Sequence, residues 1–271
     1  MIPIHDTIVG KRMPIVTWTL MGLNALVFLG EVGLPGPQLQ TLMQLYGMVP
    51  RRFVDPVWAQ QHFPNMFYWP FVTSLFLHGS WMHIISNMWT LWIFGDNVED
   101  RMGPARYLIF YLACGVLANL LHLVTNSQSL LPTVGASGAI AGIMGAYIWM
   151  FPHSRVVVLV PILFFPFFFE FPAFVYLGVW FFGQLYSGIL SLGQVGQSAG
   201  IAFWAHVGGF VAGLLGHRLL VIYPPDDEQP HVDGGDGPSS IMVSQPAPRR
   251  YPGNYHPPTE VPQDVWFRFR R

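Results

Sequence analysis

The sequence predicts an all-α, polytopic membrane protein: a bundle of six transmembrane helices followed by a disordered C-terminal tail. Three observations predict it. Of 271 residues, 52% are hydrophobic and only 10% are charged, where a soluble domain carries about 25%. Six stretches approach the roughly 20 apolar residues that a bilayer crossing needs. The composition then changes abruptly after Ile222. The net charge of −1 supplies no basic field for nucleic acid. The single cysteine, Cys114, excludes an intrachain disulfide.

Residues 1–13 form a short cytoplasmic N-terminal segment. They lack the apolar core and small-residue cleavage site of a signal peptide, so the first apolar run reads as a retained anchor. The expected spans are Pro14–Leu34, Phe71–Phe94, Tyr107–Val124, Val134–Phe151, Pro172–Leu190 and Ala199–Ile222, giving a membrane domain over 14–222. Pro161, Pro166 and Glu170 interrupt the apolar segment Val156–Phe171. Proline removes a backbone donor and ends helices. This piece therefore reads as interfacial or re-entrant, the alternative being a seventh span that would reverse the C-terminus. The loop Pro35–Pro70 is long and aromatic, which suits the membrane–water boundary. In residues 223–271 ten of the chain's 24 prolines mix with Gly, Ser, Asp and Arg, a composition that predicts disorder.

Short-loop lysines and arginines set orientation. Lys11, Arg12, Arg101, Arg106, Arg155 and Arg218 fall on one side of the six-span arrangement, and only Arg51 and Arg52 on the other. Both termini are thus expected in the cytoplasm, with the bundle in the plasma (inner) membrane.

Polar side chains inside spans are costly and usually face the bundle interior. The second span carries His78, His83 and Asn87, and the last two are four apart, on one helix face. Ser137 lies near the outer start of the fourth span. His206 lies about 10 Å below Ala199 at 1.5 Å per residue. Span counting puts Ser137, His83, Asn87 and His206 near the outer leaflet, with His78 nearer the boundary. Each residue also has a plainer reading. A serine can bond a carbonyl one turn back, and histidine or asparagine can join helices by packing networks. Zinc would want clustered ligands, and the chain has no HExxH and no cysteine pair.

Together the residues are more specific. Acyl transfer needs a nucleophile, a base within hydrogen-bond reach and donors for an oxyanion. Ser137 can supply the first and His206 the second, while His83, Asn87 and the Ser137 backbone N–H can supply the third. Glu170 and Asp96 fall toward the inner side, so no acid is expected at matching depth and the reading is a Ser–His dyad. The dyad requires the fourth and sixth helices to touch. Gly138 with Gly142, and Gly209 with Gly213, are small-xxx-small pairs that permit close approach.

The motifs GASGAIAG around Ser137, HIISN from His83 to Asn87, and AHVGGFVAG from Ala205 to Gly213 resemble those of the rhomboid family of intramembrane serine proteases. The span order and the run FPAFVYLGVWFFGQL add to the resemblance. It implies a catalytic pair of Ser137 and His206, an oxyanion site from His83, Asn87 and the Ser137 backbone, and no cofactor. It also implies membrane-anchored protein substrates cut in or near a transmembrane segment, a mobile cap over Ser191–Gly200, and a lateral gate at the fifth span. The chain departs from some members in two places. Ala141 stands where an aromatic would stack on the histidine, so the base must be oriented from elsewhere. Trp69 is followed by Pro70 rather than arginine. A non-proteolytic binder of client helices and a small transporter are the competing readings. Retention of both Ser137 and His206 argues against the binder. Clustering of the polar groups near one face argues against the transporter.

Overall fold

The computed structural model describes residues 2–63, 67–162, 165–192 and 202–222. The predicted tail, 223–271, and the greater part of the predicted cap, 193–201, lie outside the described residues. The chain opens with strand β1 (Ile2–Asp6) and helix α1 (Ile15–Val32). Four short helices follow: α2 (Gly36–Tyr46), α3 (Arg51–Val54), α4 (Pro56–His62) and α5 (Pro70–Thr73). Next come α6 (Trp81–Met102), α7 (Pro104–Thr125) and α8 (Ser137–Met150), then strands β2 (Arg155–Ile162) and β3 (Phe165–Pro172). Helices α9 (Ala173–Ser191) and α10 (Phe203–Gly216) complete it. Among the described residues, three helices are long and apolar enough to cross a membrane: α1, α7 and α9.

The boundaries follow local chemistry. Ser80 caps α6 by accepting the His83 N–H at 3.2 Å, as N-cap serines do. Gly103 ends α6 at φ +75°, a left-handed backbone that glycine adopts without Cβ strain. Pro104 then starts α7, where its missing N–H costs nothing. Helix α1 has no side-chain cap of its own. The Glu99 carboxylate, from the far end of α6, accepts Val16 N–H at 2.9 Å, Thr17 N–H at 2.8 Å and the Thr17 hydroxyl at 2.8 Å. An anion at a helix N-terminus satisfies orphan donors and complements the helix dipole.

The second span is where boundary prediction erred most. Phe71–Phe76 breaks into α5 and a 3₁₀ turn, and the long helix begins only at Trp81. Pro70 starts α5, and the extended Leu77 that follows the 3₁₀ turn precedes a Gly-Ser pair that caps a new helix. The sixth helix likewise begins at Phe203 rather than Ala199.

The all-α expectation needs a larger correction. Val156–Phe171 is a β-hairpin paired in register from Arg155↔Pro172 to Ile162↔Phe165. β1 adds to it antiparallel, giving the sheet order β1-β2-β3. The run RVVVLV is rich in β-branched residues, which suit a pleated surface. Pro161 and Pro166 face each other near the hairpin's end, where a missing donor is tolerated. A seventh span here is excluded by the fold: the three-stranded sheet has β1 and β3 at its edges, and lipid cannot satisfy open edges. Val156 and Val158 pack into the core, while Phe165, Phe167, Phe168 and Phe169 are exposed.

Helix α8 is the centre of the bundle. Gly138 to Tyr147 are all buried, and α10, α7, α6 and α9 all touch it. It has 14 residues, about 21 Å at 1.5 Å per residue. A hydrocarbon core is about 30 Å thick. At 14 residues α8 is shorter than the 22-residue helices α6 and α7 packed beside it.

Candidate active site

The site is built on the contact between α8 and α10. A Cβ on Gly209 would overlap the carbonyl oxygen of Gly138, and one on Gly213 that of Gly142. On the other face of α8, a Cβ on Gly138 would come 2.7 Å from that of Ala118 in α7. Pairs 138–209 and 142–213 advance together, so the two helices run parallel. All four predicted packing glycines are therefore at the seam. Ser137 immediately precedes Gly138, and His206 lies one turn before Gly209. The parallel register brings those two turns to the same end.

There, Ser137 Oγ and His206 Nε2 are 2.8 Å apart. The other ring nitrogen, Nδ1, is 2.8 Å from Gln184 Oε1 of α9. The Trp180 ring lies 5.8 Å from the imidazole, tilted by 36°. Trp180 and Gln184 are four apart and share a face of α9. Where Ala141 offers no ring, two side chains of α9 contact the imidazole. Sequence reasoning assigned neither residue a role. The available signal was a lone amide in an otherwise apolar and aromatic helix, an expensive placement that asks for a partner.

The start of α8 has no side-chain cap. The first four N–H groups of a helix have no partner within it, and Ser137 contributes the first of these. Gly135, two residues earlier, has φ +121° and its N–H bonds the Ser74 carbonyl at 2.8 Å. A Cβ there would lie 2.5 Å from His83 Nε2. Backbone angle and space both require glycine. His83 therefore sits against the turn that presents Ser137.

Asn87 is buried, and its amide nitrogen is 3.0 Å from His78 Nε2. His78 is only 1% exposed, deeper than a boundary anchor. Its backbone N–H lies 3.2 and 3.4 Å from the two oxygens of Glu31 at the end of α1. An acid is thus present at the same end of the bundle as Asn87, contrary to the expectation from sequence. It accepts from the backbone of His78 rather than from the His206 ring, and the span prediction could not tell which way it turned.

Ser137, His206 and Asn87 line one cavity of about 200 Å³, with Ser86, Thr90, Ile140, Tyr176, Trp180 and, at the strand side, Pro3. It is bounded by α6 on one side and α9 on the other. Its lining mixes hydroxyl, amide and apolar groups, so it can hold water beside the serine. Among the described residues, no group of histidine, cysteine and carboxylate side chains is arranged to hold a metal.

The molecule is a helical membrane protein with a serine–histidine pair in an internal cavity. The Rhomboid domain model matches residues 65–222, more than half of the chain, and the chain belongs to the rhomboid family, whose members are generally intramembrane serine proteases. It is 29% identical over 161 residues to the presenilin-associated rhomboid-like protein, mitochondrial, of Mus musculus, covering 56% of this chain and 39% of the relative. It is 32% identical over 111 residues to RHOMBOID-like protein 5 of Arabidopsis thaliana, covering 41% and 33%. It is 34% identical over 83 residues to YdcA of Bacillus subtilis, a protein whose name proposes a rhomboid protease, covering 31% and 41%. The chain thus spans about two fifths of the length of these curated relatives or less. It is an integral membrane protein of mostly helical architecture.

Proposed function

We propose that this chain is a serine endopeptidase that cleaves membrane-anchored proteins in or near their transmembrane segments through a Ser137–His206 dyad. The observation that carries the reading is the 2.8 Å approach of Ser137 Oγ to His206 Nε2 at the start of two parallel, glycine-packed helices. That distance is within reach for direct proton transfer. In the first step Ser137 Oγ attacks the scissile carbonyl carbon and its proton passes to His206 Nε2. The carbonyl oxygen becomes an oxyanion, held by the Ser137 backbone N–H, with His83 and Asn87 as further donors. His206 then protonates the departing amine, leaving an acyl-serine. Water from the cavity, deprotonated by His206, hydrolyses that ester and restores the hydroxyl.

The substrate class follows from the bilayer. A helix in lipid satisfies its own backbone groups, so its peptide bonds are unavailable until it unwinds locally. Small residues and weak helices at the cut lower that cost. In this reading 14–222 forms six spans, with residues 1–13 and 223–271 in the cytoplasm. The bundle lies in an inner (plasma) membrane, in keeping with the side on which most lysines and arginines fall. The Mus musculus relative is named mitochondrial, and that compartment is said of the relative.

The test is co-expression with a tagged single-pass protein bearing a helix-weak outer juxtamembrane segment. Wild type, Ser137→Ala and His206→Ala are compared by immunoblot at equal expression. A cleaved band present only in wild type supports the dyad. Cleavage that persists in Ser137→Ala overturns it. Wild type that neither cleaves nor reacts at Ser137 with a fluorophosphonate is a client binder instead.

A further inference from the structure

A Ser–His pair without an acid leaves one problem open. Imidazole has two ring nitrogens, and the neutral ring carries its proton on one of them. Only the tautomer protonated at Nδ1 leaves Nε2 free to accept the serine proton. In proteases with a third member, a buried carboxylate fixes that tautomer, and its loss costs about 10⁴ in turnover. Here the atom 2.8 Å from His206 Nδ1 is the amide oxygen of Gln184.

We infer that Gln184 is the positioning residue of the dyad: its carbonyl oxygen accepts the Nδ1–H of His206, fixing the tautomer and the ring plane. This inference rests on the Ser137–His206 reading above. The assignment follows from donor and acceptor chemistry. An amide oxygen only accepts, so an acceptor facing Nδ1 selects the N–H there and directs the Nε2 lone pair at Ser137 Oγ. When Nε2 takes the proton, the ring becomes a cation, and the same carbonyl dipole faces its positive edge. A neutral acceptor does this without placing a charge in the membrane, where charges are expensive. Trp180, one turn earlier on α9, closes the ring's flank at 5.8 Å. The two contacts hold the imidazole in angle and in plane.

The surroundings leave the task to Gln184. Among the described residues, the titratable groups that interact electrostatically with His206 are His83 of α6 and His122 of α7. Helix α8 contributes the Ser137 hydroxyl. Helix α9 contributes Gln184 and Trp180, with Tyr176 elsewhere along the cavity lining. None of these is a carboxylate.

The experiment uses full-length protein in proteoliposomes, with kcat and KM measured from pH 5 to 9 on the substrate above. The rate of fluorophosphonate labelling is followed in parallel, since labelling needs the base but no substrate entry. Gln184→Met keeps length and removes the acceptor, whereas Gln184→Glu keeps an acceptor. The expected result for Gln184→Met is a roughly 10- to 100-fold fall in kcat and in labelling rate, less than the loss of an anionic partner. KM and thermal stability stay unchanged. Gln184→Glu retains most activity, and the acidic limb of its profile moves to higher pH. Wild-type kcat and labelling in Gln184→Met would overturn the inference. So would equal losses in both variants with a shared fall in melting temperature, because a merely structural role gives no rescue by glutamate. If wild type itself is neither active nor labelled, the dyad reading fails, and this inference with it.

Discussion

Helix α10, which carries His206, and helix α9, which contacts its ring, are packed in opposite ways. Helix α10 meets α8 backbone to backbone. At Gly209 and Gly213 there is no room for a methyl group. Helix α9 touches the bundle through few buried residues, Ala173, Leu177 and Gly188. Of the helices apolar and long enough to span a membrane, it is the least buried, 17% against 39% for α7 and 28% for α1. Its Gly178 and Gly183 have nothing within 4 Å of where a Cβ would be. Ser137 and His206 thus sit on the tightest seam among the described residues, and the groups that contact the imidazole sit on a loosely held helix. Elements that cannot slide hold the 2.8 Å contact of Ser137 and His206 in a constant geometry. A helix facing lipid has no such constraint, so what it contributes depends on where it rests. One bond, Gln184 to His206, joins the two regimes.

The largest effect that could break this comparison lies in the seam. Gly209→Val would drive a branched side chain into the Gly138 carbonyl, and is expected to cost about 3 kcal/mol or more and to abolish cleavage. A melting curve in detergent that matches wild type would remove the argument for a rigid seam.

The next test concerns the N-terminal strand, which docks on α8 near its C-terminal end. The Tyr147 hydroxyl donates to Asp6, as does the Asn97 amide at 2.8 Å. Burial pushes the Asp6 carboxyl up to about 6, although the Tyr147 hydrogen bond opposes the shift. The folded state therefore keeps a proton that the unfolded chain has given up. This favours folding below pH about 4, and the benefit is lost as pH rises through 6. The melting temperature of wild type relative to Asp6→Asn should fall as pH is raised from 4 to 7. A difference that stays constant with pH would show that Asp6 does not titrate in that window.

On α9, Trp180→Ala removes a ring that packs on both His206 and Phe210, at 5.8 and 6.1 Å. Losing an aromatic contact of about 1 kcal/mol should lower kcat by several-fold to 10-fold while thermal stability changes little. A stability loss as large as that of Gly209→Val would mean that α9 is no looser than α10. The smallest effect is expected for Gly183→Ala, within about 0.5 kcal/mol of wild type. The same methyl that the seam excludes is absorbed here, and a clear loss of stability would contradict the contrast.

Much of this was legible in the chain. Apolar runs located the helices because a bilayer sets their length and composition. Gly138, Gly142, Gly209 and Gly213 announced a close contact because small-residue spacing has few other uses in lipid. Ser137, His83, Asn87 and His206 stood out because polar groups in spans need a reason. Residues Val156–Phe171 read as an interfacial or re-entrant piece, and their strand pairing was missed because apolar content and proline show a break in a helix but not the partner strand that fills it. The start of α6 was misread because Phe71–Phe76 is apolar enough for a span, while the capping serine at residue 80 is a short-range signal.

The sequence by itself determined which side chains could do chemistry and at which end of the bundle they belong, since hydropathy and spacing are properties of one helix at a time. Only the tertiary structure decided which partner each one meets. Glu31 turned to the backbone of His78, and Gln184, unmarked except as an amide among aromatics, turned to His206. Pairing of that kind is fixed by the rotation of one helix against another, which depends on packing across the whole bundle and leaves no trace in the local sequence.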